Sequence, residues 1–285
     1  MIMKIIKYLS LVVAVTLVTS CEKHEVEFLA TPIDNMAELQ LHYMNPVTAV
    51  AANNIMRVEL NGKLVANEKA PLNTYNAVPQ GAAGRFYAVN PGNVNIKLYL
   101  KTKLLPASDS LVYDQNVTLT TGKQNVFVHD FTQPAIIFDN GYPYIRRETV
   151  TTDSTAWIKF YNLLYETPGV PTTKLIQYQY VDARTSELVN IGEPVAFGET
   201  TGWQQVTVVK TDIVSAGSRT MTYRMKEVDA DGNIIGDFMI MNTSGAYVAY
   251  SGTLATFIGR RYHQIMAGFR AVRSPNSSVR TFTAL

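Results

Sequence analysis

The chain has 285 residues, of which 47% are hydrophobic, 10% aromatic and only 17% charged, with a formal net charge of +2. Its single cysteine excludes a disulfide framework and any multi-cysteine zinc or iron–sulfur site. Four scattered histidines (His24, His42, His129 and His263) argue against a His-based metal centre, and the length predicts about two domains.

The N-terminus reads as a targeting segment. Residues 1–20 hold no acidic side chain, and Lys4 and Lys7 precede an apolar run from Leu9 to Val18. That run is far short of the roughly 20 residues a membrane span needs, and it fits the core of a cleaved signal peptide. It ends in Leu17-Val18-Thr19-Ser20-Cys21. Small residues before a cysteine resemble a bacterial lipobox, in which the thiol is acylated and the cysteine becomes the new N-terminus. A signal peptide over 1–20 and a palmitate-type lipid on Cys21 are therefore expected, with the membrane as a partner; stable anchoring takes more than one acyl chain. Cleavage removes Lys4 and Lys7 and leaves a mature chain of formal net charge zero. A neutral chain lacks the basic footprint of a nucleic-acid binder. Residues 21–34 read as the lipidated cysteine and a tether. Its charged start, Glu22 to Glu27, resembles the surface-export signal of Bacteroidetes lipoproteins and implies an outer-membrane, cell-surface location, the periplasmic face being the alternative.

Past residue 34 the recurring signal is alternation rather than a helical period. Leu39, Leu41 and Tyr43 alternate with Gln40 and His42. Met56, Val58 and Leu60 lead into Asn61-Gly62, a pair that suits the positive φ angles of a tight hairpin turn. Val94, Ile96, Leu98 and Leu100 alternate next. Val117 and Leu119, a Thr121-Gly122-Lys123 turn, then Val126 and Val128 read as a second hairpin. Later come Trp157 to Phe160, Ile176 to Tyr180, Val206 to Val208, Met221 to Met225, a turn at Asp229 to Asn233, and Leu254 through Gly259 to Met266. Trp157 opens an apolar strand and is expected in a core. Asn35 to Asn45 and Leu163 to Tyr165 have room for a helical turn at most. Short strands separated by turns predict a sandwich or barrel.

An internal repeat refines this. Ala37 to Asn45 matches Ala156 to Asn162 in apolar spacing, and Val117 to Val128 matches Gly252 to Ile265, about 120 residues later. The segments AWIKFYNLL, GTLATFIGRRYHQIMAGF and VTLTTGKQNVFVHDF followed by PAIIFDN resemble the domain-of-unknown-function family numbered 4397. That resemblance implies Ig-like β-sandwiches, often in tandem, in Bacteroidetes surface lipoproteins, and supplies no catalytic residues. The chain departs from the family pattern in lacking an aromatic at the Gly122-Lys123-Gln124 turn and in an insertion-like stretch from Ile213 to Gly245. The expected fold is all-β, with two tandem Ig-like β-sandwich domains at 35–144 and 155–285 joined by a polar, Thr-rich linker at 145–154.

The chemistry is sparse. Asp229, Asp231 and Asn233 resemble the start of a calcium loop, but the residue where that loop needs a glutamate is Ile240, so a bare hairpin turn is expected. Ser251 lacks the first glycine of a nucleophile elbow. His42 and His129, read on the alternation, face solvent and make no metal pair. Glu166, Asp182, Glu187, Glu193 and Glu199 read as solvated loop charges rather than a glycosidase pair. No catalytic residue, metal ligand or cofactor is expected. Exposed Tyr and Trp are common binding anchors, which makes Trp203, behind Gly202, and Tyr142 and Tyr144, flanking Pro143, the candidate binding residues. The function expected is a non-catalytic surface module binding glycan or a partner protein; the alternatives are a structural subunit of a pilus-type or nutrient-uptake assembly and an accessory domain of a hydrolase.

Overall fold

The computed structural model describes residues 35–79, 86–101, 109–141, 155–208 and 217–284. The expected signal peptide, Cys21, the tether, the linker at 145–154, Tyr142 and Tyr144 lie outside the described residues. What is described is nearly all strand, with one short 3-10 turn at Ala51–Asn53. The all-β expectation holds. The two stretches granted a helical turn are both strand.

In the first half, β1 (Ala37–Tyr43), β2 (Ile55–Leu60), β3 (Lys63–Ala66), β4 (Asn76–Val78), β5 (Tyr87–Val89), β6 (Gly92–Lys101), β7 (Asp109–Leu119), β8 (Gly122–Val128) and β9 (Ile136–Asp139) form two sheets. One runs β3-β2-β6-β7; the other runs β4-β1-β8-β9, with β5 also on β1. The β2–β3 hairpin turns at Asn61 and Gly62 with φ of 49° and 75°, the left-handed pair its sequence called for. The second expected hairpin is not one. β7 pairs with β6, whereas β8 crosses to the other sheet and runs parallel to β1. Gly122, at φ 98°, allows this arch, and its N–H donates to the Met36 carbonyl.

In the second half, β10 (Thr155–Thr167), β11 (Val170–Pro171), β12 (Leu175–Val181), β13 (Leu188–Asn190), β14 (Thr200–Thr207), β15 (Ser218–Val228), β16 (Ile234–Asp237), β17 (Met239–Met241), β18 (Tyr247–Ala249), β19 (Ser251–Phe257), β20 (Arg261–Phe269) and β21 (Ser278–Ala284) repeat the plan. β10 runs parallel to β20, which β21 flanks, as β1 runs parallel to β8, which β9 flanks. β19 pairs with β15 before the chain arches to β20. β16, β17 and β18 have no counterpart in the first half; β17 and β18 form a two-stranded ribbon of their own.

Each half has an apolar core between its sheets. Leu39, Leu41, Val58, Ile96, Leu98 and Val126 centre one; Ile158, Phe160, Tyr178, Met225, Phe238 and Met266 centre the other. A third cluster joins the halves. Phe127 of β8 and Met44 just past β1 meet Tyr161, Leu163, Ile265 and Phe282 of the second half. Alternation assigns each strand one core face and one outer face, and here the outer faces of β1 and β8 close on those of β10 and β20. Removing Phe127 and Tyr161 from water contributes about 2 kcal/mol each. Trp157 lies on the outer face of β10, half-buried, and not in the sandwich core expected for it, because Ala156 and Ile158 take the inward positions.

Candidate functional site

Two places gather chemistry: the seam between the halves and the β17–β18 ribbon. The seam is polar as well as apolar. Tyr161 donates its O–H to His263 Nδ1 at 2.8 Å. His263 Nε2–H in turn donates to Asn140 Oδ1 at 3.1 Å, an oxygen that also accepts Asn125 Nδ2–H at 2.7 Å. His42 Nε2–H donates to Asn125 Oδ1 at 3.0 Å. The carboxamide acceptors place a proton on Nε2 of both imidazoles, and burial favours their neutral forms. Burial pushes His42 down to about 4, partly offset by its Asn125 bond. Burial, then the nearness of His42 and Lys159, holds His263 well below its usual value.

His42 and His129 therefore do not face solvent. Both are buried. His42 stacks on Phe127 at 4.5 Å and meets Phe282 edge-on. His129 Nδ1 lies 2.7 Å from the Tyr165 hydroxyl. Lys159, also buried, donates to the Asp139 carbonyl oxygen at 2.8 Å.

Trp203, the leading binding candidate from sequence, sits at this same seam. It is half-buried in β14, its indole N–H donates to the Asn140 carbonyl at 2.8 Å, and its ring centroid is 5.0 Å from that of His263. The exposed platform expected of it is not what the fold makes. A side chain with its polar group and a ring face committed inside the molecule packs rather than recruits.

The carboxylates are also reassigned in part. Glu187, Glu193 and Glu199 are exposed. Glu166 and Asp182 are not ordinary solvated charges. Asp182 is buried and accepts the Arg184 and Thr185 backbone N–H groups and the Tyr180 hydroxyl. Glu166 accepts Arg270 Nε–H on both oxygens, at 2.8 and 2.6 Å, and the Thr172 hydroxyl at 2.6 Å. Burial works against the Glu166 charge, yet these donors hold its carboxyl below the usual range. Asp229 spends its Oδ1 on the N–H groups of Asp231 and Asn233 and closes the β15–β16 turn as a hairpin. Ser251 starts β19, exposed and opposite Arg224. Among the described residues no group of three or more His, Cys, Asp or Glu is placed to hold a metal ion.

The second place was missed in the sequence. Among the described residues Tyr247 is the one aromatic in the set of exposed large apolar side chains, at 46%. It opens β18 beside Val248, at 39%, and the Arg270 guanidinium lies 5.5 Å from its ring centroid. Ile234 and Ile235 on β16 and Leu188 and Val189 on β13 are exposed as well. The available signal was position: β16 and β17 fall in the stretch that breaks the repeat, and β18 follows it directly.

No family model matches the chain, and no curated protein matches it significantly. Three solved structures align along most of its length. A proposed cell adhesion protein from Bacteroides uniformis is 8% identical, over 89% of this chain and 98% of that one, with a TM-score of 0.26. One from Bacteroides fragilis is 9% identical, over 88% and 98%, with a TM-score of 0.20. A proposed adhesin from Bacteroides ovatus is 10% identical, over 86% and 95%, with a TM-score of 0.17. Superpositions this weak say nothing of what this chain binds.

Proposed function

We propose that this chain is a lipid-anchored, non-catalytic binding protein of the bacterial cell surface, engaging a glycan or a partner protein through its second half. The observation that carries the reading is the distribution of exposed apolar side chains. Among the described residues, six of the ten exposed large apolar side chains, Leu188, Val189, Ile234, Ile235, Tyr247 and Val248, stand as adjacent pairs on three short strands of the second half, β13, β16 and β18. Exposed apolar side chains beyond scattered single residues mark interaction surfaces, and here they come in pairs, two of the pairs on the opposite edges of one sheet, β13 and β16. The imidazoles at the seam, His42 and His263, are buried and hydrogen-bonded to groups of the fold, away from solvent. Lipid anchoring at Cys21 sets many copies on one membrane, so individually weak contacts add by avidity.

A structural-subunit role is the second reading. β13 and β16 are sheet edges with every residue exposed, the kind of edge another chain extends.

The test uses residues 22–285, free of lipid, on surfaces coated with cell-envelope glycans or surface proteins, with reducing-end release assayed in the same wells. Saturable retention without product is expected. Product that grows with time and protein, or no retention on any surface, would overturn the reading.

A further inference from the structure

We infer that the β17–β18 hairpin is a recognition site for a carboxylate-bearing sugar, with Tyr247 as its stacking face and Arg273 as its cation. The inference rests on the binding reading above and assigns its ligand class.

The hairpin is held in one shape from tip to base. At the tip, Asn242 Oδ1 accepts the backbone N–H groups of Ser244 and Ala246, both at 3.0 Å, and the Ser244 hydroxyl at 2.6 Å. Along β17, the Met241 N–H donates to the Arg270 carbonyl at 2.7 Å, and at the base Arg270 Nη1 donates to the Met239 carbonyl at 3.2 Å. Glu166 grips the same guanidinium. Tyr247 is thus an aromatic on a braced ribbon, and a contact made by a braced group gives up little entropy on binding.

The two arginines differ in one respect. Glu166 neutralises Arg270. Arg273 is exposed and has no carboxylate partner among the described residues. Its guanidinium lies against Gly245 so closely that a Cβ there would stand 2.5 Å from Nη2. Gly245 has φ +90°, a backbone conformation that favours glycine. The turn two residues before Tyr247 is therefore shaped to seat a cation without neutralising it.

A flat ring on the hairpin and an unneutralised guanidinium against its turn fit a pyranose that carries its own carboxylate. The apolar face of the sugar covers Tyr247, and the planar guanidinium pairs with the carboxylate through two parallel hydrogen bonds. A uronate supplies both features in a single residue. An acidic peptide supplies the charge but no ring face.

The experiment measures affinity of residues 22–285 by calorimetry for oligomers of galacturonate, glucuronate and mannuronate, for neutral galactan, and for polyglutamate. At least one uronate oligomer is expected to bind about tenfold or more tighter than galactan and polyglutamate. Tyr247→Ala and Arg273→Gln are each expected to cut that affinity by about tenfold, and Tyr247→Phe to retain it, with the circular dichroism spectrum and unfolding midpoint unchanged in all three. Gly245→Ala, which displaces Arg273 without removing its charge, is expected to weaken the same binding. Equal affinity for galactan or polyglutamate, or uronate binding indifferent to these variants, overturns the assignment. If the chain is retained on other surfaces but ignores every uronate, the site assignment falls and the binding reading stands; if it is retained on none, both fall.

Discussion

Trp203 donates its indole N–H to the backbone carbonyl of Asn140, the residue after the last strand of the first half. One bond of 2.8 Å thus ties β14 to the end of β9, beside a histidine chain that runs from Tyr161 to His42. The consequence is mechanical. Whatever the second half grips is linked to the first half through a packed seam as well as through the chain.

Trp203 is accordingly predicted to matter for stability. Trp203→Ala removes packing against His263 and should cost about 3 kcal/mol. Trp203→Phe keeps a ring but leaves the Asn140 carbonyl unpaired, at about 1 kcal/mol. Urea titration of residues 22–285 checks both. A Trp203→Ala variant with an unchanged midpoint and weakened ligand binding would restore the role expected of it from sequence.

Acid should loosen the seam before it protonates the carboxylates. An unfolded histidine takes up its proton near pH 6.5, and folded His42 does so only near 4. The folded state resists protonation, so the contribution is complete above pH 6.5, falls as pH drops toward 4, and is gone below that. For His42 alone the loss is about 3 kcal/mol, and His263 shifts the same way. Protonating His263 at Nδ1 puts a charge in the buried seam and obliges the Tyr161 hydroxyl to turn from donor to acceptor. Denaturation midpoints measured from pH 7.5 to 4 should fall steadily, and His42→Gln should flatten the slope. A pH-independent midpoint down to 4.5 would contradict this.

The strand class and the Asn61-Gly62 hairpin were legible because alternation and turn chemistry are local. The seam was not. Gln40, His42, Asn125 and His129 are polar at alternate positions, and a polar face closed by hydrogen bonds looks in sequence like a face toward water. One clue was available: Trp157 to Tyr165 is almost continuously apolar, and strands buried on both faces lose their alternation. The arch from β7 to β8 was misread because a strand, a glycine turn and a strand describe a hairpin and a crossover equally well. Tyr247 went unnoticed because nothing local separates an exposed tyrosine from the buried ones at 161, 165 and 178.

Glu166 is predicted to hold the hairpin down. Glu166→Gln removes the carboxylate that grips Arg270, at a cost of about 2 kcal/mol, and frees the anchor of Met239 and Met241. Limited proteolysis should show faster cleavage within 239–249 while the rest of the chain stays resistant. An unchanged cleavage rate would show that the ribbon holds without its ion pair.

Cys21 is predicted to carry the lipid. Cys21→Ser should move the protein from the membrane fraction to the soluble fraction and abolish labelling by a palmitate analogue. Labelling that survives the substitution would remove the anchor from the account.

The central claim is that this protein works by binding through the braced ribbon and neighbouring strand of its second half. Backbone hydrogen exchange of residues 22–285, with and without a saturating uronate oligomer, tests it most directly. Protection confined to 234–249 and 270–273 is the predicted result; protection centred on the seam or the first half, or none at all, would contradict it.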